Sequence, residues 1–449
     1  MTNFTQLGLA EPLVRALSAK GYTQPTPIQA QSIPTLLQGR DLLGIAQTGT
    51  GKTAAFVLPS IQNLIASGKR VLPTHCRMLV LAPTRELASQ IAESARAYGQ
   101  FSRMSVATVF GGTSINKNRN DMARGVDILV ATPGRLLDLI EQRFVSLAAL
   151  EILVLDEADQ MLDLGFIHAL RKIVRMLPRQ RQTLLFSATM PKTIRELAEQ
   201  FLTDPATVSV VPAATTAERV DQSVTFVNQT EKQALLTILL SDPVIDRALV
   251  FTRTKHGADR VVKLLGGNGI AANAIHGNKS QPQRERALGE FKSGKVKVLV
   301  ATDIAARGID VSGVSHVFNF ELPNVPEQYV HRIGRTARAG AAGLAISFCA
   351  EDERPYLRDI ERLTRQKITI TPLPADFMAQ ANAIKAARTK AIGHDPAPRE
   401  DRPRGPARPR ATHASAAKPS NPYAPRGRRG GRGRGGGGGN RGPRAQANA

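Results

Sequence analysis

Several features are scarce or absent in this 449-residue chain, and each absence excludes a class of protein. Its only two cysteines, Cys76 and Cys349, form neither a CxxC unit nor a metal-ligand pattern, which argues against a disulfide scaffold or a cysteine-bound metal. No apolar run approaches the roughly 20 residues that a membrane span needs. The N-terminus lacks the basic and apolar regions of a signal peptide. We therefore expect a cytoplasmic protein with no membrane partner.

Acidic residues are outnumbered, with 37 Asp and Glu against 60 Lys and Arg and a formal net charge of +23. Such a balance indicates a polyanionic partner, nucleic acid before membrane. The excess is uneven, because residues 373–449 contain 16 Lys and Arg against 4 Asp and Glu. Beyond Pro396 this tail is rich in Pro, Gly and Arg and has almost no large apolar residue, so we expect it to be disordered. Its Arg-Gly end is typical of segments that bind single strands, and a merely solubilising tail is the alternative.

The chain is too long for one ordinary core, and its apolar segments fall into two series. Their Val, Ile and Leu runs without polar alternation are typical of parallel strands covered by helices on both faces. A small-residue segment between the series is suited to a linker. We predict strands at 41–46, 78–82, 105–110, 127–131, 152–156 and 183–187, and then at 224–227, 247–251, 272–275, 297–301, 316–320 and 344–348. The predicted domains are residues 1–210 and 221–372, with a linker at 211–220 and a basic tail at 373–449; residues 376–392 can continue as a short helix.

A glycine-rich loop with a Lys-Thr pair follows the first predicted strand. Backbone N–H groups of such a loop can surround a phosphate chain, and a purely structural turn would not need the Lys-Thr pair. Ala46 stands where the strict pattern has glycine. Lys52 is predicted to bridge the β- and γ-phosphates, and Thr53 to meet Mg²⁺. The nucleotide-binding residues of this loop are Gln47, Thr48, Gly49, Thr50, Gly51, Lys52 and Thr53.

Two acids, Asp156 and Glu157, stand at the end of a later strand. Asp156 is predicted to hold Mg²⁺, partly through water, and Glu157 to orient the attacking water as a base. A solvated acid after a strand is the alternative for Glu157, and the phosphate loop weakens it. Together these two motifs predict a nucleotide triphosphatase that uses Mg²⁺.

In their number and order these motifs closely resemble the DEAD-box family of ATP-dependent RNA helicases, in superfamily 2. The resemblance spans roughly residues 4–372, and the tail is most similar to the RhlE-like subgroup of bacterial members. It implies two RecA-like α/β parallel-sheet domains in tandem plus the disordered tail. An adenine-sensing element at residues 2–30 contains Gly21-Tyr-Thr-Gln-Pro-Thr-Pro-Ile-Gln29. By resemblance Gln29 contacts the adenine edge and Tyr22 or Phe4 stacks on the base, although both aromatic rings are also compatible with simple packing.

The same resemblance assigns further roles in both halves. Asp310 would accept from the ribose hydroxyl, and Arg335 and Arg338 would be catalytic arginine fingers beside Lys52, Asp156 and Glu157. Ser187, Thr189, His331 and Arg332 would couple hydrolysis to strand separation. The RNA-binding residues implied are Pro83, Thr84, Arg85, Gly111, Gly112, Thr132 and Arg135 in the first half, and Arg253, Arg284 and Thr302 in the second.

The resemblance implies an enzyme whose RNA-stimulated ATP hydrolysis locally remodels short RNA duplexes and RNA–protein complexes, largely without sequence preference. Ribosomal particles and RNA-decay machinery are both compatible partners. Two alternatives stay open. One is a DNA translocase, against which the Gln29 element argues. The other is an ATP-gated clamp or annealing chaperone that acts mainly through the Arg-Gly tail.

Overall fold

The computed structural model describes residues 3–47, 49–210, 220–306, 311, 313–336 and 343–392, with side chains as far as residue 386. Most of the predicted linker and the tail beyond residue 392 lie outside the described residues. In the part that is described, no helix is both long and apolar enough to cross a membrane.

The first half is built on a seven-stranded sheet in the order β3-β4-β2-β5-β6-β1-β7, in which the strand pairs are parallel. Its strands are β1 Leu42–Ile45, β2 Cys76–Leu81, β3 Val106–Val109, β4 Val126–Ala131, β5 Ile152–Leu155, β6 Gln182–Ser187 and β7 Ala206–Ser209. Its helices are a 3₁₀ turn at Phe4–Leu7, α1 Glu11–Ala19, α2 Pro27–Leu37, α3 Lys52–Ser67, α4 Arg85–Tyr98, α5 Ile115–Met122, α6 Pro133–Glu141, α7 Ala158–Asp163, α8 Ile167–Arg175 and α9 Lys192–Phe201.

The second half repeats this plan with the order β10-β11-β9-β12-β13-β8-β14, and its strand pairs are also parallel. Its strands are β8 Val220–Phe226, β9 Ala248–Thr252, β10 Ala272–Ile275, β11 Val298–Thr302, β12 His316–Asn319, β13 Gly343–Cys349 and β14 Thr369–Ile370. Its helices are α10 Lys232–Leu240, α11 Lys255–Gly266, α12 Gln281–Lys292, α13 Asp303–Ala306, α14 Pro326–Ile333, a 3₁₀ turn at Glu351–Glu353, α15 Arg354–Thr364 and α16 Phe377–Ile392.

Both faces of each sheet are covered, as the apolar strands predict. In the first sheet Leu79 and Val80 are adjacent in β2 and point into two different hydrophobic clusters, and both are fully buried. Burial of this kind is the dominant favourable contribution to folding, at about 25 cal/mol per Å² of apolar area.

The twelve predicted strands are all present, which confirms the two-sheet architecture. Two edge strands were missed. β7 alternates exposed residues with one partly buried and one buried residue, and both residues of β14 are exposed, so neither carries the apolar run that marks an inner strand. The helix suggested for 376–392 is α16, whose Phe377 and Ala381 are buried in the apolar cluster that contains α10.

A charged pair is fully buried in the second half. The ammonium of Lys232 donates to Glu353, and neither side chain is exposed to solvent. Glu353 also accepts from the backbone N–H groups of Leu322 and Ala350, at 3.2 and 3.0 Å. Burial lowers the pKa of Lys232, an effect that the neighbouring carboxylate of Glu353 opposes. The pair thereby fixes the loop after β12 to the end of β13.

We expect Glu353→Ala to lower the free energy of unfolding by about 3–5 kcal/mol. The substitution removes the carboxylate that pairs with a buried ammonium and accepts from two backbone N–H groups. Denaturation of the full-length protein in urea measures this. Glu141→Ala is the control, because it breaks an exposed pair in which Lys172 Nζ lies 2.6 Å from the Glu141 carboxylate. Such exposed pairs contribute about 0–1 kcal/mol. Equal losses in the two variants would contradict the structural role of the buried pair.

Candidate nucleotide site and nucleic-acid interface

The phosphate loop connects β1 to the N-terminus of α3. Gly51 is the N-cap of α3 and has φ +94°, in the left-handed region that favours glycine. The hydroxyl of Thr50 donates to the carbonyl oxygen of Gln47 at 2.8 Å and closes the turn. The first N–H groups of α3 are therefore directed, with the positive end of the helix dipole, to where a phosphate chain would lie. Thr48 lies outside the described residues.

Gln29 is bonded directly to this loop, a contact that the sequence did not indicate. Its amide nitrogen donates to the carbonyl oxygen of Gly51 at 3.1 Å, and its amide oxygen accepts from the N–H of Thr26 at 3.0 Å. A Cβ at residue 51 would lie 2.4 Å from the Gln29 nitrogen, so a side chain there would displace the Gln29 amide from this hydrogen bond. The predicted adenine-sensing residue and the phosphate loop thus form one hydrogen-bonded unit.

The predicted acids lie beside Lys52 at the end of β5. Lys52 Nζ is 3.8 Å from Asp156 Oδ1, and both side chains are buried. Glu157 adopts a left-handed conformation with φ +53°, and its N–H donates to Asp156 Oδ1 at 3.0 Å. A non-glycine residue in this conformation stores strain, which is common at functional sites.

Burial without a bound cation disfavours the ionised forms of both acids. It raises the pKa of Asp156, with Lys52 as the main opposing influence. Burial raises the pKa of Glu157 to about 7, while the positive charges of Lys52 and Arg335 oppose the shift. A carboxyl group with a pKa near neutrality is suited to accept a proton at physiological pH.

Arg335 is a residue of the second half that lines this cleft. Its guanidinium Nε donates to the carbonyl oxygen of His331 at 3.2 Å, and the side chain is 5% exposed. The cleft has a volume of about 1310 Å³, including its open mouth. It is lined by Phe4, Tyr22, Gln24, Thr26, Gln29, Gly49, Gly51, Lys52, Thr53, Ala54, Leu87, Gln90, Ser94, Tyr98, Asp156, Glu157 and Arg335. The predicted partners Arg338 and Asp310 lie outside the described residues.

The two candidate stacking aromatics differ in environment. Phe4 is buried against the first hydrophobic core, whereas Tyr22 is 45% exposed. Both rings line the cleft. Burial, aided by a hydrogen bond with Tyr22, raises the pKa of the Tyr98 hydroxyl. Because Tyr22 is the more exposed of the two candidates, its ring is the more accessible for stacking on a base.

The loop at residues 187–189 is bonded to the acidic turn through Asp159, a residue that our sequence reasoning left out of the site. Asp159 Oδ2 accepts from the N–H groups of Ala188 and Thr189 at 3.1 and 3.0 Å, and from the Thr189 hydroxyl at 3.0 Å. The Ser187 hydroxyl donates to the carbonyl oxygen of Thr189 at 2.7 Å. The sequence feature that could have indicated this role is the position of Asp159, an acidic residue two positions after Glu157 near a strand end.

The predicted coupling residues His331 and Arg332 lie on α14. Arg332 is buried and forms a two-pronged ion pair with Asp303, with N–O distances of 2.6 and 2.7 Å. It also donates to the carbonyl oxygen of Glu321 at 2.6 Å. Arg332 therefore fixes α14 to the residues that follow β11 and β12.

The residues predicted to bind RNA in the first half lie at the ends of the adjacent strands β2, β3 and β4. Thr84 caps α4 by accepting from the N–H of Leu87 at 3.3 Å. The Arg85 guanidinium lies against Gly111 and Gly112, and a Cβ at residue 112 would be 2.2 Å from it. Pro83, Thr132 and Arg135 flank this group, and Arg135 donates to the carbonyl oxygen of Thr113 at 2.9 Å.

The residues predicted to bind RNA in the second half are Arg253, Arg284 and Thr302. Thr302 ends β11 and Arg253 follows β9, which is the neighbouring strand. Glu321 accepts from the Arg253 N–H at 2.7 Å, and its carboxylate lies 3.8 Å from the Arg253 guanidinium. Arg284 reaches the first half, where its Nη2 lies 2.8 Å from Glu86 Oε2.

Positive charge accumulates where Arg284 meets the first half. Burial and the charges of Arg284 and Arg135 lower the pKa of Arg85, while Glu86 opposes them. Burial raises the pKa of Glu86, and Arg284 opposes this. Three arginines around one buried carboxyl group form a surface suited to phosphate oxygens.

Comparison with known proteins gives consistent matches. Residues 26–197 match the family model "DEAD/DEAH box helicase", and residues 230–340 match "Helicase conserved C-terminal domain". The ATP-dependent RNA helicase CshA of Listeria monocytogenes is 43% identical over 390 residues, covering 87% of this chain and 74% of the relative. CshA of Bacillus cereus is 44% identical over 368 residues, covering 82% and 69%. Saccharomyces cerevisiae Dbp5 bound to RNA and ADP BeF3 is structurally similar, with a TM-score of 0.74 and 31% identity over 86% of this chain and all of Dbp5.

We expect Glu157→Gln to stabilise the protein at high pH in the absence of nucleotide and metal. Because folding raises the pKa of Glu157 from 4.5 to about 7, wild-type stability falls as pH rises through that interval. The variant cannot ionise there, so at pH 8 it should be more stable by up to about 3 kcal/mol, and the difference should vanish towards pH 4.5.

Thermal unfolding across this pH range, with chelator present, measures the difference. Glu93→Gln, at an exposed position of α4, is the control and should show no such trend. A pH-independent difference for Glu157→Gln would contradict the assigned shift.

Proposed function

The chain belongs to the DEAD-box family of ATP-dependent RNA helicases, and we propose that it couples ATP hydrolysis to local unwinding of short RNA duplexes and RNA–protein complexes. The observation that carries this proposal is the composition of the catalytic pocket. Lys52, Asp156 and Glu157 come from the first half, and Arg335 comes from the second. Since neither half holds all four, hydrolysis requires that the halves come together.

In this mechanism Glu157 orients a water molecule and accepts its proton as the water attacks the γ-phosphate. Arg335, with Arg338, stabilises the charge that develops on the phosphate oxygens. Lys52 neutralises the β- and γ-phosphates. Exclusion of bulk water by closure strengthens each of these charge interactions.

The donors fit ATP with Mg²⁺. Asp156 and Thr53 offer oxygen atoms beside the N-terminus of α3, where the phosphates supply further oxygen ligands. When bound, Mg²⁺ neutralises phosphate charge, and Asp156 and Thr53 would hold it. Gln29 would read the adenine edge and transmit its presence to Gly51 through the observed hydrogen bond. Tyr22 would stack on the base, and Asp310 would accept from the ribose.

The RNA would lie across both halves at the arginine surface. Arg85, Arg135 and the Gly111-Gly112 backbone would contact phosphates from one side, and Arg253 and Thr302 from the other. The same yeast relative, Dbp5, is seen bound to RNA and ADP BeF3, which supports this assignment. Contacts of this kind are mainly to the backbone, so activity should be nearly independent of sequence.

The pair of Glu86 and Arg284 connects the halves beside this surface. Both side chains are largely buried, at 5% and 11% exposed. Buried pairs cost much when one partner is removed, so closure would leave a buried charge unpaired if either residue were changed. Thr189 and Asp159, with His331 and Arg332 on α14, would transmit the state of the nucleotide to this arrangement.

The alternative function is an ATP-gated clamp or annealing chaperone that acts through the Arg-Gly tail. The basic composition of residues 373–449 favours it, because such a tail would raise the local concentration of RNA. Cytoplasmic ribosomal particles and RNA-decay machinery remain the proposed partners. The two bacterial relatives described above are CshA proteins, and the RhlE-like assignment stays a prediction.

We expect single-stranded RNA to stimulate ATP turnover, more than single-stranded DNA does, and ATP to drive separation of a short RNA duplex. Arg335→Lys keeps the charge but loses the planar fork, and should lower kcat by about 10³-fold. Glu157→Gln should bind ATP and RNA and hydrolyse very slowly. Turnover that ignores RNA, or duplex remodelling that survives in both variants, would favour the annealing alternative.

We expect Glu86→Ala and Arg284→Ala each to raise the RNA concentration needed for half-maximal ATPase by about tenfold, because each leaves a buried charge unpaired at closure. The double variant Glu86→Arg with Arg284→Glu should recover part of the loss. RNA-titrated ATPase rates measure this, and Glu141→Ala is the control. Strictly additive losses would show that the two residues act separately.

A further inference from the structure

A second cavity shares Arg335 with the nucleotide cleft. It has a volume of about 800 Å³, including its open end. Both halves line it, and among the described residues Arg335 alone lines the nucleotide cleft as well. Its walls are Gln47, Gln160, Ala188 and Thr189 from the first half and Glu327, Val330, His331, Gly334, Arg335 and Leu363 from the second.

This cavity has an inner end and a mouth. Arg335 and Gln160 are buried, at 5% and 3% exposed, and mark the inner end. Glu327 is exposed and Leu363 is 42% exposed, so they mark the mouth. The cavity therefore leads from the arginine that faces the γ-phosphate to solvent.

Release of phosphate ahead of ADP would require such a route. Hydrolysis leaves ADP in the nucleotide cleft, where its adenine would occupy the Gln29 end. Inorganic phosphate forms at the opposite end, between Lys52, Glu157 and Arg335. While ADP stays bound and the halves stay together, the phosphate cannot leave past the base.

The residues at the inner end can contact phosphate without forming a high-affinity site. Gln160 Oε1 is buried and has no hydrogen-bond partner among the residues the structure describes, so it can accept from a protonated phosphate oxygen. Arg335 can donate to the anion. Val330 and Leu363 offer no polar group, and the carboxylate of Glu327 repels an anion at the mouth. A phosphate ion can pass through the cavity only if it binds strongly enough to enter and weakly enough to leave.

We propose that this cavity is the exit route for inorganic phosphate, with Gln160 as a transient binding residue and Leu363 at its opening. The inference rests on the ATPase activity of the proposed function. It makes phosphate release separable from hydrolysis, since Lys52, Asp156 and Glu157 do not line the route and Arg335 is the catalytic residue that the two share.

Leu363→Trp should obstruct the mouth, and Gln160→Leu should remove the buried amide at similar size. With saturating RNA in a single turnover, we expect hydrolysis measured by rapid quench to stay within about twofold of wild type. Release of free phosphate, measured with a fluorescent phosphate sensor, should slow by about tenfold or more in Leu363→Trp, because product release depends on an open path. Gln160→Leu should change release in the same selective way.

Val244→Trp is the matched control, because Val244 is 76% exposed in the second half and does not line the cavity. The chain has no tryptophan, so the fluorescence of the indole introduced by Leu363→Trp also reports whether that variant is folded and whether the mouth is occluded. Phosphate release at the wild-type rate in both cavity variants would overturn the proposal, as would equal slowing of hydrolysis and release. Failure of the proposed function is distinguishable, since the wild-type protein would then show no RNA-stimulated hydrolysis.

Discussion

The division of charge in the catalytic pocket is the constraint on which the rest of the structure depends. Asp156 and Glu157 are buried with Lys52 as their near cation, and burial raises the pKa of both acids and so disfavours their ionised forms. In the proposed mechanism the metal that accompanies the triphosphate would add its positive charge to those of Lys52 and Arg335 beside these acids. Nucleotide binding, closure and ionisation of the catalytic acids are therefore mutually reinforcing, because each lowers the free-energy cost of the others.

Parallel sheet topology makes this pocket possible. In the order β5-β6-β1 three neighbouring strands end beside each other, although the residues that follow them are far apart in sequence. The phosphate loop follows β1, the acids follow β5, and the Ser187 loop follows β6. Carboxyl ends of parallel strands share one edge, which is where open α/β sheets bind ligands. Motifs at strand ends could thus be placed together from the sequence alone.

Other parts of the site could not be predicted, for an identifiable reason. The pair of Glu86 and Arg284, the bonds from Asp159 to the loop at 188–189, and the contact of Gln29 with Gly51 each depend on the distance between separate segments. No spacing within one segment encodes such a distance. The edge strands β7 and β14 were missed because their pairing, and not an apolar run, keeps them in place. Periodicity and motif order predict the strands and the motifs at their ends. They do not predict the contacts between segments that are far apart in sequence.

Arg335 connects the catalytic pocket to the packing of α14 in the second half. Its Nε is held by the carbonyl oxygen of His331, so the guanidinium moves with α14 and not independently of it. Arg332 in turn fixes α14 to Asp303 at the end of β11, the strand whose last residue, Thr302, is proposed to contact RNA. A displacement of α14 would therefore withdraw Arg335 from the γ-phosphate position and disturb the RNA side together. His331 and Arg335 also line the second cavity, so the same displacement would change the shape of the proposed phosphate route.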